Sequence, residues 1–235
     1  MNYFIPIKSS YEYESKLNNI IASHGYEPLL TERRAISNTI RNSTFCDYTS
    51  GISSNIGCNN HGAIFMHSGS WKNVRSCADL LGLMTYTFMD DSTIKIKYVC
   101  RNRAHSRTSN SPYRNASIGK YILTFFLMCV KELSHELEKP YMVYLNATEP
   151  SFYKKCGMIN VVLDNPHSNK IIEIEEMLNP ELDLPNYFVW DTTMPVHLEK
   201  AKGIKKTKKR KCTKQRKKTK SRLYTLEDLK WDKTI

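Results

Sequence analysis

The stretch YRNASIGKYIL (residues 113–123) places an arginine, small polar residues, one glycine and a lysine directly before a long apolar run. Apolar residues then recur at helical spacing to about residue 138, which predicts a helix. Gly119 is one of only nine glycines in 235 residues, and glycine inside a helix costs about 1 kcal/mol relative to alanine. Small residues at a helix start let an anion reach the unpaired backbone N–H groups. The stretch therefore indicates a phosphate-binding loop, with an ordinary helix capped by Ser117 as the alternative.

A second stretch, LNATEPSFYKKCGM (residues 145–158), lies one helix and one strand further along the chain. The apolar run at 141–145 predicts a central strand covered on both faces, and it ends at Asn146. A short helix follows, for which Thr148 is the predicted N-cap and Pro150 suits the first turn. The spacing thus predicts helix, strand and short helix in succession after the loop.

Together these two stretches resemble the GNAT superfamily of acetyl-CoA-dependent N-acetyltransferases. The family's pyrophosphate loop reads Q/R-x-x-G-x-G/A at the start of its longest helix, and residues 114–119 match it with Ser117 in place of the first glycine. The family's asparagine at the next strand end and its tyrosine seven residues later match Asn146 and Tyr153. The resemblance is strong over residues 92–160 and weaker over 1–195.

The resemblance implies a fold, an activity and a set of site residues. The fold is α/β, with a mixed central sheet of about six to seven strands flanked by helices and splayed between the strands near 92–100 and 141–145. The activity is transfer of an acetyl group from acetyl-CoA to a primary amine (a protein lysine, an N-terminus or a small amine) by direct attack. The alternative is a catalytically degenerate GNAT-fold binding protein that acts through its basic tail. Tyr153 would protonate the leaving thiolate and also touch the cofactor. The other cofactor-binding residues implied are Val99, Cys100, Arg114, Asn115, Ala116, Ser117, Ile118, Gly119, Lys120 and Asn146.

Three points remain open from the residues themselves. Asn146 either binds the cofactor arm or caps a strand end. The general base is not identified among Asp90, Asp91, His105 and Glu149. The connection from Val99 to Arg114 is longer than the family's, so residues 105–111 form either a substrate-contacting flap or a disordered loop, and the polar stretch 101–112 is not expected in the core.

Hydrophobic periodicity predicts the remaining elements. Strands are expected at 3–7, 62–67, 78–89 and 92–100, the last two forming a hairpin across Asp90 and Asp91. Helices are expected over 11–25 and 29–42. Further strands are expected from VVL, IIEIEE and YFVWDTT, up to about residue 193.

The positive charge is confined to the C-terminal end. The total is +12, yet residues 1–199 carry 19 basic and 20 acidic residues, whereas residues 200–222 carry fourteen basic residues and no acidic one. We therefore expect a GNAT-like domain over 1–198, a disordered basic tail over 199–223 and a short segment over 224–235. The tail resembles a nuclear-import signal and equally a nucleic-acid-binding arm, so the partner expected for residues 200–222 is an import receptor or a nucleic acid.

Seven cysteines without a C-x-x-C pair are typical of free thiols in a reducing compartment. No signal peptide is apparent, and the longest apolar run has ten residues, too few to span a bilayer. The sequence therefore predicts an intracellular protein, nuclear or cytoplasmic, without a membrane partner. Cys46, Cys58, His61 and His67 are spaced too irregularly to indicate a zinc site.

Overall fold

The computed structural model of the protein describes residues 8–24, 37–38, 40–41, 45–46, 62–67, 80–106, 108–111, 113, 115–161, 168–176 and 186–196. The strand predicted at 3–7 and the basic tail lie outside these residues, as does most of the helix predicted at 29–42. Within that helix, residues 37–38 and 40–41 are helical. No helix in the described residues is long and apolar enough to cross a membrane.

Four α-helices and six strands make up the described part of the chain. The helices are α1 (Lys8–Ser23), α2 (Ile118–Glu136), α3 (Pro150–Lys155) and α4 (Ser168–Glu176). The strands are β1 (Gly62–His67), β2 (Leu80–Phe88), β3 (Thr93–Arg101), β4 (Met142–Asn146), β5 (Ile159–Asn160) and β6 (Tyr187–Asp191). A short 3₁₀ turn over Arg103–His105 follows β3.

The six strands form one sheet in the order β1-β2-β3-β4-β6-β5. All neighbouring pairs are antiparallel except β3 and β4, which run parallel because the chain passes through α2 between them. The mixed sheet flanked by helices that the sequence predicts is confirmed. The hairpin is confirmed as well, and its turn is held by Asp90, whose Oδ1 accepts a 2.7 Å hydrogen bond from the backbone N–H of Ser92.

Side chains alternate between two covered faces of the sheet, as the pleat requires. On the first face, α1 and α2 cover a large apolar core that includes Val143 of β4 and Trp190 of β6. On the second face, α4 covers β4 and β6, while Ile40 and Phe45 cover β1 to β3. The apolar residues of the second face thus form two separate clusters rather than one.

Three predictions about local structure were wrong. The segment IIEIEE belongs to α4 and not to a strand, because Ile171, Ile174 and Glu175 are buried at helical spacing. The N-cap of α3 is Glu149 and not Thr148. The polar stretch after β3 does contribute to the interior, since the side chains of Asn102 and His105 are buried with hydrogen-bond partners.

Candidate active site

Strands β3 and β4 pair only at their first residues. Thr93 faces Met142 and the ladder ends where Lys95 faces Tyr144, although β3 continues to Arg101 and β4 to Asn146. Beyond that rung, β3 has a described partner strand only on its β2 side. A strand edge without a strand partner is the arrangement with which an extended ligand that carries amide groups can pair. The predicted splay between these strands is confirmed.

A β-bulge lies at the point where the two strands part. Thr85 of β2 faces Tyr98, but the next residue, Tyr86, faces Ile96, so Lys97 is an extra residue of β3 without a cross-strand partner. A bulge bends its strand and re-aims both backbone groups and side chains, and bulges are frequent beside active sites. The bulge therefore sets the direction in which β3 leaves β4.

The start of α2 is held close to the sheet by a glycine in β2. A methyl group built at Gly82 would lie 2.6 Å from Cγ2 of Ile118 and 2.8 Å from the carbonyl oxygen of Cys100. Any larger residue at this position would push the helix away. The absence of a side chain at Gly82 thus places the first turn of α2 against the splayed half of β3.

The loop before α2 presents its polar residues outward. Ser117 is the N-cap of α2, is exposed and makes no side-chain capping bond, so it does not act as the capping hydroxyl of the alternative interpretation. Asn115 is also exposed, whereas Ala116 packs against the core. Lys120 is half-buried in the first turn. Arg114, the first residue of the predicted loop, lies outside the described residues.

Gly119 is where the two predicted motifs meet. A methyl group built there would lie 3.3 Å from Cζ of Phe152 in α3 and 3.6 Å from Cγ1 of Val99 in β3. The helix start, the splayed strand and the short helix after β4 therefore converge on one position, although 33 residues separate Gly119 from Phe152 in sequence. The same contacts give Gly119 a packing role, since the Phe152 ring occupies the space beside it.

Tyr153 stands next to this convergence point. Its side chain is 9% exposed, its ring packs against Phe152 and Phe188, and its hydroxyl makes no hydrogen bond with the part of the chain that is described. Burial, and to a smaller extent the nearby thiols of Cys100 and Cys156, raise the pKa of the Tyr153 phenol above its usual value. The phenol therefore stays protonated throughout the neutral pH range and is available as a proton donor.

Cys100 lies near the end of β3, on the face opposite Val99. Its thiol is buried and in hydrogen-bond contact with the thiol of Cys46, with the two sulfur atoms 3.2 Å apart. This contact raises the pKa of Cys100, and so does burial. The neutral thiol makes Cys100 a packing residue of the strand, while its backbone is part of the splayed edge. Asn146 ends β4 with an exposed side chain, at the same end of the sheet.

The predicted insertion after β3 is an ordered loop in its described residues. Nη2 of Arg101 donates hydrogen bonds to the carbonyl oxygens of His105 and Tyr113, the latter at 2.8 Å. The His105 ring packs edge-on against Tyr113, and Nδ1 of His105 lies 2.6 Å from Oγ of Ser111. Of the two interpretations left open, the disordered loop is thus wrong for these residues. The imidazole of His105 is occupied in holding the loop together.

The sequence analysis missed a polar cluster at the last β3–β4 rung, which we call the clamp: Lys95, Tyr144, Glu175 and Tyr187. The Glu175 carboxylate accepts hydrogen bonds from Nζ of Lys95, from the Tyr144 hydroxyl at 2.7 Å and from the Tyr187 hydroxyl at 3.0 Å. The side chains of Lys95 and Glu175 are only 15% and 3% exposed. The clamp therefore joins three strands and α4 where the splay begins. It was missed because its carboxylate lies in the helix that was predicted as a strand.

The acidic residues considered as general bases lie at two different ends of the sheet. Asp90 and Asp91 lie in the β2–β3 turn, at the paired end of β3, and they bind Lys170 and Lys139. Glu149 lies after β4, at the splayed end, and is exposed. Of the acidic candidates, only Glu149 is thus at the same end of the sheet as Tyr153.

Comparison with known proteins gives likenesses in structure alone. No family model matches the sequence, and no curated protein matches it. The crystal structure of Tetrahymena GCN5 has a TM-score of 0.44 and 8% identity, covering 69% of this chain and 86% of that one. A Mycobacterium tuberculosis protein in complex with CoA has a TM-score of 0.41 and 9% identity, with coverages of 69% and 94%. A GNAT-family acetyltransferase from Staphylococcus aureus has a TM-score of 0.37 and 20% identity, with coverages of 69% and 92%.

Proposed function

We propose that this protein is a GNAT-type N-acyltransferase that moves an acetyl group from acetyl-CoA to a primary amine. The convergence at Gly119 is the observation that supports this most strongly. It brings the loop that resembles a pyrophosphate site, the unpaired half of β3 and the helix carrying Tyr153 to one end of the sheet. Chance resemblance of two separate motifs gives no reason for them to meet.

The residues at this end suit the parts of an acyl-CoA molecule. The first backbone N–H groups of α2 have no partners within the helix and carry a partial positive charge, which suits the diphosphate. The unpaired edge of β3 beyond Lys95 suits the amide groups of the pantetheine arm. Asn146, exposed at the end of β4, is close to the same path. Acetyl-CoA supplies an activated thioester, and these residues hold it in the splay.

The chemical step needs a donor to the thioester oxygen and a proton for the thiolate. A backbone N–H of β3 beside the Lys97 bulge is our candidate for the first role. The Tyr153 phenol is our candidate for the second. Its raised pKa weakens the driving force for proton transfer, and it also keeps the proton in place until a thiolate forms beside it.

The basic tail, residues 200–222, is proposed to decide where the enzyme acts. Fourteen positive charges without interleaved aromatic residues favour phosphate contact or an import receptor over base stacking. We therefore propose a nuclear or cytoplasmic acetyltransferase whose tail contacts nucleic acid or the import machinery. The GNAT-like domain itself is close to neutral and does not need the tail for the acyl-CoA site.

Calorimetric titration of the full chain with acetyl-CoA tests the proposal. We expect binding at micromolar concentrations, with a similar affinity for CoA because most contacts involve the diphosphate and pantetheine. Dephospho-CoA and free acetyl-pantetheine report which part of the ligand is bound. Thiol release from acetyl-CoA in the presence of a mixed panel of amines then tests turnover. The proposal would be contradicted if no binding is detected at acetyl-CoA concentrations well above micromolar. Binding without turnover of any amine would mean that the protein binds acyl-CoA but is not an acetyltransferase.

A further inference from the structure

The second face of the sheet is divided at β3, beside the splay. Phe45 and its neighbours cover the β1–β3 side, and α4 covers the β4–β6 side, and the two apolar clusters do not merge. Between them β3 presents Lys95, Lys97 and Tyr98, all only partly buried. This polar strip lies between two apolar clusters on the face opposite α2, beside the splay. On the proposed function, this is the face from which the acceptor approaches the thioester.

The two lysines of this strip differ in their partners. Lys95 is neutralised by Glu175 in the clamp. Lys97, the bulged residue, is half-buried, and its ammonium group makes no hydrogen bond or ion pair within the described ranges of the chain. Burial lowers the pKa of Lys97, as does the neighbouring Lys95 charge, whereas attraction to Glu175 opposes them in part.

Of the two lysines of the strip, Lys97 is the one whose charge has no anionic partner among the described residues. Glu175 attracts the Lys97 charge at a distance, but its carboxylate is hydrogen-bonded to Lys95 and two tyrosines. Asp90 binds Lys170 at 3.1 Å, at the far end of the strand. The cofactor's diphosphate would lie over α2, on the other face of β3, where Val99 and not Lys97 contacts Gly119. An anion that pairs with Lys97 would therefore come from the acceptor side of β3.

We infer that Lys97 binds an anionic group of the acceptor, so that the preferred substrates are amines carrying a nearby carboxylate or phosphate. This inference rests on the proposed acetyltransferase function and adds the substrate class to it. A half-buried ammonium group gains most from an anion that arrives with the substrate, because the ion pair then forms in surroundings of low polarity. Neutral amines would leave the Lys97 charge uncompensated.

Matched acceptor pairs test this inference, each pair sharing one amine. Suitable pairs are β-alanine against β-alaninamide, phosphoethanolamine against ethanolamine, and a lysine peptide flanked by glutamate against one flanked by glutamine. We expect kcat/KM to be about 10- to 100-fold higher for the anionic member of at least one pair, the size typical of a partly buried charge contact. The pair that responds identifies the source of the anion.

Three variants assign the effect to Lys97. Lys97→Met keeps the apolar stem and is expected to remove the preference for anionic acceptors. Lys97→Arg is expected to keep this preference, and Lys97→Glu is expected to reverse it in favour of cationic amines such as spermidine. Lys131→Met, on the exposed side of α2, is the matched control and should change nothing. The KM for acetyl-CoA should be the same in all four.

Two results would overturn the inference while leaving the enzyme in place. One is equal use of both members of every pair, and the other is an equal loss with all acceptors in Lys97→Met, which would indicate a role in proton transfer. A chain that binds no acetyl-CoA would instead overturn the proposed function, and this inference with it. Thermal unfolding of each variant separates misfolding from loss of recognition, and Lys97→Arg serves as the folded reference.

Discussion

The two ends of the β3–β4 pair have opposite properties. At the paired end, three rungs of the ladder join the strands, and the clamp ties the last rung to α4. At the splayed end, a bulge turns β3 away from β4, and no strand of the described residues pairs with this side of β3. The paired end carries the ladder and the clamp, the splayed end is the site that we propose for acyl-CoA, and the bulge at Lys97 lies between them. Because the clamp holds the last paired rung, we expect it to keep the splay from extending along the strands.

A Tyr→Phe substitution can be made at each end of the β3–β4 pair, so the two ends can be compared by the same chemical change. Tyr153→Phe at the splayed end is expected to lower turnover of acetyl-CoA by about 10²- to 10⁴-fold, the usual contribution of a general acid. Affinity for acetyl-CoA should remain within about 3-fold, because the ring and its packing are kept. Steady-state kinetics combined with calorimetry measures both quantities.

Tyr141→Phe is the matched control at the paired end. The Tyr141 hydroxyl is buried without a hydrogen-bond partner in the described residues, so its removal should leave turnover unchanged and leave stability equal or slightly higher. An equal loss of activity in Tyr153→Phe and Tyr141→Phe would mean that the splayed end has no catalytic role that the paired end lacks.

The clamp is expected to be the largest single polar contribution to stability near the splay. Glu175→Gln removes the charge that faces Lys95 and should lower the free energy of unfolding by about 3 kcal/mol, the usual cost of breaking a buried ion pair. Glu173→Gln, exposed on the same helix, should change it by less than about 0.5 kcal/mol. Denaturant unfolding of both variants gives the comparison.

The pH dependence of stability should follow from the same carboxylate. Burial by itself raises the pKa of Glu175, but hydrogen bonds from Lys95 and Tyr144 outweigh it and hold this pKa below its usual value. The stabilisation is therefore complete above the pKa of the unfolded chain and is lost as the pH falls through the lower pKa of the folded state. The parent protein should lose more stability than Glu175→Gln on acidification below about pH 4.5. Parallel curves for the two proteins would contradict the assignment.

Gly119 tests whether space at the convergence point serves the ligand or only the Phe152 ring. Gly119→Ala should weaken acetyl-CoA binding by about 10-fold, or about 1.4 kcal/mol. Stability should change by less than about 1 kcal/mol, because the gain in helix propensity opposes the 3.3 Å contact with Phe152.

A second variant separates the two explanations. Gly119→Ala combined with Phe152→Leu relieves the ring contact while keeping the methyl group, with Phe152→Leu alone as its control. Binding that stays weak in the double variant supports the ligand explanation. Binding restored to the level of Phe152→Leu would mean that Gly119 is required for packing alone.

Much of this architecture was predictable because its elements have unambiguous periods. Strand β1 was predicted residue for residue, and the end of α2 to within two residues. The end of α2 was predictable because a wide apolar stripe that stops before a proline indicates a helix. The two motifs were found through residue types whose spacing is fixed by a helix and a strand between them. Local chemistry of this kind is visible in a sequence.

The remainder depended on contacts between distant segments. The acidic residues of IIEIEE alternate with isoleucine over too short a run to separate helix from strand, and only the burial of Glu175 against Lys95 decides it. His105 and Asn102 are polar, and their burial depends on partners at Ser111 and Leu80. The bulge at Lys97 arises from the register of β3 against β2, so the sequence of β3 by itself does not indicate it.

Hydrogen–deuterium exchange of the full chain, with and without acetyl-CoA, tests the central claim most directly, because it compares the two ends of β3 in one experiment. The account predicts that acetyl-CoA slows exchange of backbone amides in Ile96–Arg101 and Ser117–Tyr121, with no change for Thr93 and Ile94, which are already paired with β4. Protection confined to the paired end, or no protection in either segment at saturating acetyl-CoA, would contradict the assignment of the splay as the acyl-CoA site.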